Sequence, residues 1–164
     1  MTRRSLLVAF VALACLAGLA DIASAQGSRR RLTIAIPPGV SFNVVDPAVS
    51  TTGNPNPFWV TITISSVRSS NRVYVSVKAD TVNFSGPGTT RIPASKVSWT
   101  ATAVSGGSAT GGTLSSAAYS LVYQTNPNPK SGAFDMTWWL AAPAAAGLRA
   151  GNHSLTVRWR VEAF

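Results

Sequence analysis

Cysteine, histidine, acidic residues and long apolar runs are all scarce in this chain, and each shortage removes a class of chemistry. The one cysteine, Cys15, lies in a stretch that reads as a leader. The rest of the chain therefore has no thiol nucleophile, thiolate metal ligand or disulfide, so an exported fold must hold by packing. His153 is the one imidazole, and Asp46, Asp80, Asp135 and Glu162 are the side-chain carboxylates beyond the leader. A Ser-His-Asp triad would have to use His153, and no Gly-x-Ser-x-Gly elbow exists to present a serine. A hydrolase with paired carboxylates would need two of four residues, far apart in sequence, to converge. Neither a phosphate-cradling glycine loop nor a metal-ligand cluster is present. The expectation is a protein that is not an enzyme and uses no cofactor or metal.

The single long apolar run stands at the beginning. Leu6 to Ala20 is preceded by Thr2-Arg3-Arg4 and followed by Ala23-Ser24-Ala25, which is the layout of a signal peptide over residues 1–25. Thr-Arg-Arg-Ser-Leu-Leu also loosely matches a twin-arginine signal, so either export route stays open. Cys15 lacks the leucine three residues earlier that a lipoprotein site would show. The implied location is periplasm, cell surface or extracellular space, with no integral membrane segment after processing. Residues 26–31 read as a mobile basic lead-in, and 32–164 as one domain large enough to bury a core.

Charge is sparse but lopsided, with 14 Lys and Arg against 5 Asp and Glu. Removing Arg3, Arg4 and Asp21 with the leader lowers the net charge from +9 to +8. Such a field attracts anionic partners, acidic polysaccharide among them. Nucleic acid is not an expected partner of an exported chain.

Strand periodicity fills the remainder. In Asn152 to Phe164, Leu155, Val157, Trp159, Val161 and Ala163 share one parity, while Thr156, Arg158, Arg160 and Glu162 share the other. Successive side chains of a strand point to opposite faces, so this stretch predicts one half-buried strand. Similar patterns predict strands over 31–36, 40–45, 58–65, 72–78, 81–84, 96–104, 119–124 and 134–140. Ser69-Ser70-Asn71 suits a turn, making 58–65 and 72–78 a hairpin or neighbouring strands. Gly106 to Gly112 reads as a flexible loop, and the alanines of 141–150 allow at most one helical turn beside Pro143 and Gly147. Asn-Pro-Asn-Pro occurs at 54–57 and 126–129; the flanks do not align, so it reads as recurring turn chemistry. Short strands separated by Gly, Pro and Asn predict an all-β fold, an immunoglobulin-like antiparallel β-sandwich of about 7–9 strands.

An outer-membrane barrel is excluded by phase. Counting back from Phe164 in twos meets Glu162, Arg160 and Arg158, where lipid-facing residues would be required.

Two candidate surfaces follow from parity. Trp99, Trp138 and Trp159 point inward, whereas Trp59, Tyr74 and Trp139 fall on the polar side with Arg72, Lys78, Arg158 and Arg160. If these strands share a sheet, its outer face offers aromatic platforms flanked by cations, a binding site for anionic polysaccharide. The alternative is that loops or the chain's own termini cover these rings. Separately, Leu32, Ile34 and Ile36 at one end of the domain and Leu155, Val157, Trp159 and Val161 at the other could complete a neighbour's sheet by strand addition.

The segment Leu148-Arg149-Ala150-Gly151-Asn152-His153-Ser154-Leu155-Thr156-Val157 resembles the close of bacterial fimbrial and spore-coat-U-type domains. In these a Leu-x-Ala-Gly-x-Tyr signature leads into the last strand of an immunoglobulin-like sandwich. His153 replaces the usual aromatic, and the disulfide common there is absent. Trp138-Trp139-Leu140 and Trp159-Arg160-Val161 are also similar to the Trp-x-Leu motifs of cell-wall surface domains. The resemblance implies a structural or adhesive surface or appendage protein that partners itself or another subunit.

Overall fold

Period-two alternation becomes two packed antiparallel sheets. The computed structural model describes residues 32–64, 71–87, 91–141 and 149–164. The expected signal peptide over 1–25, the expected lead-in over 26–31 and most of the alanine-rich stretch (142–148) lie outside these residues. In chain order the strands are β1 (Leu32–Ala35), β2 (Val40–Val44), β3 (Thr51–Thr52), β4 (Phe58–Ile64), β5 (Val73–Ala79), β6 (Asn83–Ser85) and β7 (Arg91–Pro93). A 3-10 turn over Ala94–Lys96 leads into β8 (Val97–Ser105), β9 (Gly107–Ala109), β10 (Gly112–Thr113), β11 (Ser120–Thr125), β12 (Ser131–Leu140), β13 (Gly151–Leu155) and β14 (Val157–Ala163). The strands are more numerous than the sequence pattern predicts, because pieces of two and three residues pair outside the predicted strands.

A six-stranded sheet runs β1-β4-β12-β8-β10 with β3 joined to β12, and a four-stranded sheet runs β14-β5-β11-β9. Their inner faces share one core. Phe58 of β4 stacks on Trp159 of β14 with ring centroids 6.0 Å apart, and Tyr123 of β11 stacks on Phe134 of β12 at 4.9 Å. Phe58, Val60 and Ile62 on one sheet and Val73, Val75 and Val77 on the other are fully or almost fully buried. At about 1.5–3 kcal/mol for each large aliphatic or aromatic side chain buried, this core is the principal stabilising term. The small β13-β2 sheet adds Val40, Phe42, Val44 and Leu155 to the same core.

Three local expectations are corrected. First, β4 and β5 form no hairpin: β4 lies between β1 and β12, and β5 lies between β14 and β11. With both edges of each strand taken, the connection must cross between sheets. Second, the glycine-rich stretch from Gly106 to Gly112 holds β9 and β10 instead of a loop. Its glycines make room for rings. A Cβ on Gly112 would come within 2.7 Å of the Trp99 indole, and one on Gly107 within 2.6 Å of the Tyr123 hydroxyl. That hydroxyl donates to Ser105 O at 2.6 Å, and Trp99 Nε1 donates to Thr110 O at 3.0 Å. Third, the terminal strand is two strands that part at Thr156. β13 pairs with β2, and β14 pairs with β5 from Val157↔Ala79 to Ala163↔Val73. Inward parity survives the switch, so Leu155 and Val157 both face apolar surroundings.

His153 is fully buried on β13, opposite Phe42. Its Nε2 lies 2.9 Å from Arg149 O, a geometry in which Nε2–H donates and Nδ1 has no partner. Gly86 packs against the ring so closely that a Cβ would collide with it. The one imidazole is a packing residue.

Candidate functional site

The six candidate binding residues divide between opposite outer faces. Trp59 lies on β4 and Trp139 on β12, in the six-stranded sheet; Tyr74 on β5 and Arg158 and Arg160 on β14 belong to the four-stranded sheet, with Arg72 just before β5. The expected single aromatic and cationic face is therefore not assembled. Alternation placed each side chain outward, but parity says nothing about which sheet a strand joins.

On the four-stranded sheet the candidate groups are taken up by other residues of the chain. Tyr74 stacks on Phe164 with centroids 4.8 Å apart, and Phe164 and Arg72 exchange both backbone hydrogen bonds. The last residue therefore covers this ring, the alternative left open by the sequence. Arg158 Nε donates to Asp80 Oδ1, and Arg160 Nε lies 3.1 Å from Glu162 Oε2. Arg160 also sits 4.4 Å over the Tyr119 ring, with Lys78 5.2 Å from its centroid. Tyr119 as a cation-binding platform was not legible in the sequence, where it marked only the start of a strand.

The six-stranded sheet presents a different outer face. Trp59 is 46 % and Trp139 38 % exposed. Register sets the residues between them in rows: Trp59↔Asp135↔Thr102, then Thr137↔Thr100, then Thr52↔Trp139↔Ser98. At about 3.3 Å per residue, the four residues from Asp135 to Trp139 separate the two indole rows by ~13 Å. Asp135 is the one ionisable residue among the strands of this sheet. Its Oδ1 is buried and has no hydrogen-bond partner. Thr137 Oγ1 donates to Asn56 Oδ1 at 3.0 Å. The hydroxyl rows share the parity of Trp59 in Thr61 and Thr63 and recur in Thr100 and Thr102, a signal the sequence itself carries.

The carboxylates do not converge. Asp80 and Glu162 are in ion pairs on one sheet and Asp135 is on the other, while Asp46 Oδ1 accepts from Ala48 N in a turn.

The strand-exchange residues are found mostly at sheet edges. Leu32 and Ile34 lie on β1 and Val157, Trp159 and Val161 on β14, each strand at the end of its sheet and paired on one side. With Ile36, just past β1, all are partly buried and packed against the core. Leu155 is the exception, buried on β13 and paired through β2. Hydrogen-bond phase then shows which amides are free. Because Phe164 and Arg72 form a doubly bonded pair, alternation turns the N–H groups of Arg158, Arg160 and Glu162 toward β5. Those of Val157, Trp159 and Val161 face the open edge. Ile64 gives its N–H to Lys130 O on the far side from β1, so Leu32 and Ile34 likewise point theirs outward.

No protein-family model, curated protein or solved structure matches this chain. The functional reading stands on this geometry.

Proposed function

We propose that this chain is a non-enzymatic structural or adhesive component of a bacterial surface or appendage, exported by its leader and assembled by strand addition between copies. The observation that carries the reading is the pair of edge strands β1 and β14. Each combines a row of free amides with inward apolar side chains that are only half buried. Sheet edges are templates for further pairing, and natural folds normally blunt them with proline, bulges or inward-pointing charge. The inward row of β14 holds Val157, Trp159 and Val161 instead. An incoming strand would gain backbone hydrogen bonds and cover the same half-buried row, the mode in which pilus subunits recognise a neighbour.

The test uses proline at an outward amide, which leaves the ladder inside the domain intact. The full chain and its Val161→Pro and Ile34→Pro variants are expressed in an exporting bacterium, and sheared surface material is separated from soluble periplasm. The wild type is expected in the high-mass surface fraction and at least one variant in the soluble fraction, with unfolding midpoints showing that the domain survives. A wild-type chain found wholly as a free soluble monomer overturns the reading.

A further inference from the structure

The outer face of the six-stranded sheet carries two exposed indoles that the edges do not use. We infer that it is a docking face for an uncharged polysaccharide, held on Trp59 and Trp139 with hydroxyl partners between them. Three observations point to this class of ligand and away from the anionic glycan suggested by net charge.

The first is the exposure of both indoles. A large aromatic left open on a sheet face is uncommon and marks an interaction surface. The C–H face of a pyranose ring stacks on such a platform, and two platforms separated by ~13 Å along the strands suit an extended chain that touches both. The second is what lies between them. Thr100 offers a hydroxyl that can donate and accept, and Thr137, whose proton goes to Asn56 Oδ1, offers an acceptor beside it, a set that matches sugar hydroxyls. A protein partner would favour an apolar centre instead. The third is charge. The strands of this sheet contain no Lys or Arg, whereas Lys78, Arg158 and Arg160 all lie on the other sheet. Among the described residues no cation stands between the two indoles; the exposed Lys96, whose O accepts from Ala141 N, lies just beyond the Trp139 row. The one carboxylate, Asp135, sits in register beside Trp59 with an oxygen that lacks a partner. A hydroxyl of a ligand stacked on Trp59 would be the donor nearest to hand for this oxygen, and a buried acceptor left unpaired is costly.

The experiment is retention of the full chain on insoluble cellulose, chitin, mannan and starch, with polygalacturonate as the anionic comparator, at low and high salt. Wild-type protein is expected to bind at least one neutral polymer with an affinity that salt does not change. Trp59→Ala and Trp139→Ala should each weaken that binding roughly threefold to tenfold, the value of one aromatic contact. Thr100→Arg, which keeps both rings but raises a long side chain between them, should weaken it too. Arg160→Ala should leave it unchanged. Retention on none of the neutral polymers overturns the inference, as does retention on polygalacturonate alone that salt abolishes. Undiminished binding by the Trp59→Ala/Trp139→Ala double variant also overturns it. A native mass lowered by Trp139→Ala without glycan would assign the face to contacts between copies and sink the glycan reading. None of these outcomes depends on the β1 and β14 edges.

Discussion

The two outer faces of the sandwich carry the same kind of sequence signal and meet different ends. On the four-stranded sheet every outward aromatic has a partner within the chain: Tyr74 has Phe164, and Tyr119 has Arg160 and Lys78. Its arginines are paired with Asp80 and Glu162. On the six-stranded sheet Trp59 and Trp139 remain open over rows of threonine hydroxyls. An outward aromatic is therefore informative only after its own chain's claims on it are known. Those claims come from the last residue and from neighbouring strands, which parity cannot reveal.

The sharpest test of inner against outer is the adjacent pair Trp138 and Trp139. Trp138 is fully buried and packs edge-on to Phe58 at 6.0 Å. Trp138→Ala should cost about 3–5 kcal/mol in chemical denaturation, and Trp139→Ala less than about 1 kcal/mol. Equal losses would mean that the outer face is itself part of the core.

Between the faces, Tyr123 is buried with its hydroxyl bonded to Ser105 O. Tyr123→Phe should destabilise by about 1 kcal/mol. Burial raises the phenol pKa above its usual value. The folded state thus holds this proton more tightly than the unfolded state. That contribution is complete below about pH 10 and is lost as pH climbs through the raised folded value. Unfolding midpoints of Tyr123→Phe should fall less steeply above that pH than those of the wild type.

Removing the cover from the four-stranded face should have a smaller effect. Phe164→Ala should cost about 0.5–1.5 kcal/mol and make the Tyr74 ring open to small-molecule quenchers. If Tyr74 stays protected, the contrast between the faces is weaker than described. Smallest of all, Arg158→Ala should change stability by about 0.2–1 kcal/mol, because the Arg158 side chain is 63 % exposed and its ion pair is screened. That difference should vanish in high salt.

How much was legible in the sequence depends on distance along the chain. Alternation is local, so strands such as Phe58–Ile64 and Val97–Ser105 could be read directly, as could the inward placement of Trp99 and Trp138. Sheet membership is not local. The break at Thr156 keeps the parity of Leu155 and Val157, so nothing in the pattern marks the move from β2 to β5. The glycines at 107 and 112 escape the pattern for a similar reason. Their role is set by Trp99 at Gly112 and by the Gln124 carbonyl and Tyr123 at Gly107, and a distant group's need for space leaves no trace in the composition of the segment beside it. The edge strands were legible as apolar segments near either end of the domain, but their free amides required the hydrogen-bond phase.

The most direct measurement on the central claim is the native mass of the chain by light scattering on a sizing column, across a range of concentrations. Strand addition predicts a ladder or a high-mass species that collapses toward one chain in Val161→Pro. A wild-type protein that elutes as a clean monomer at every concentration would contradict the account of the β1 and β14 edges.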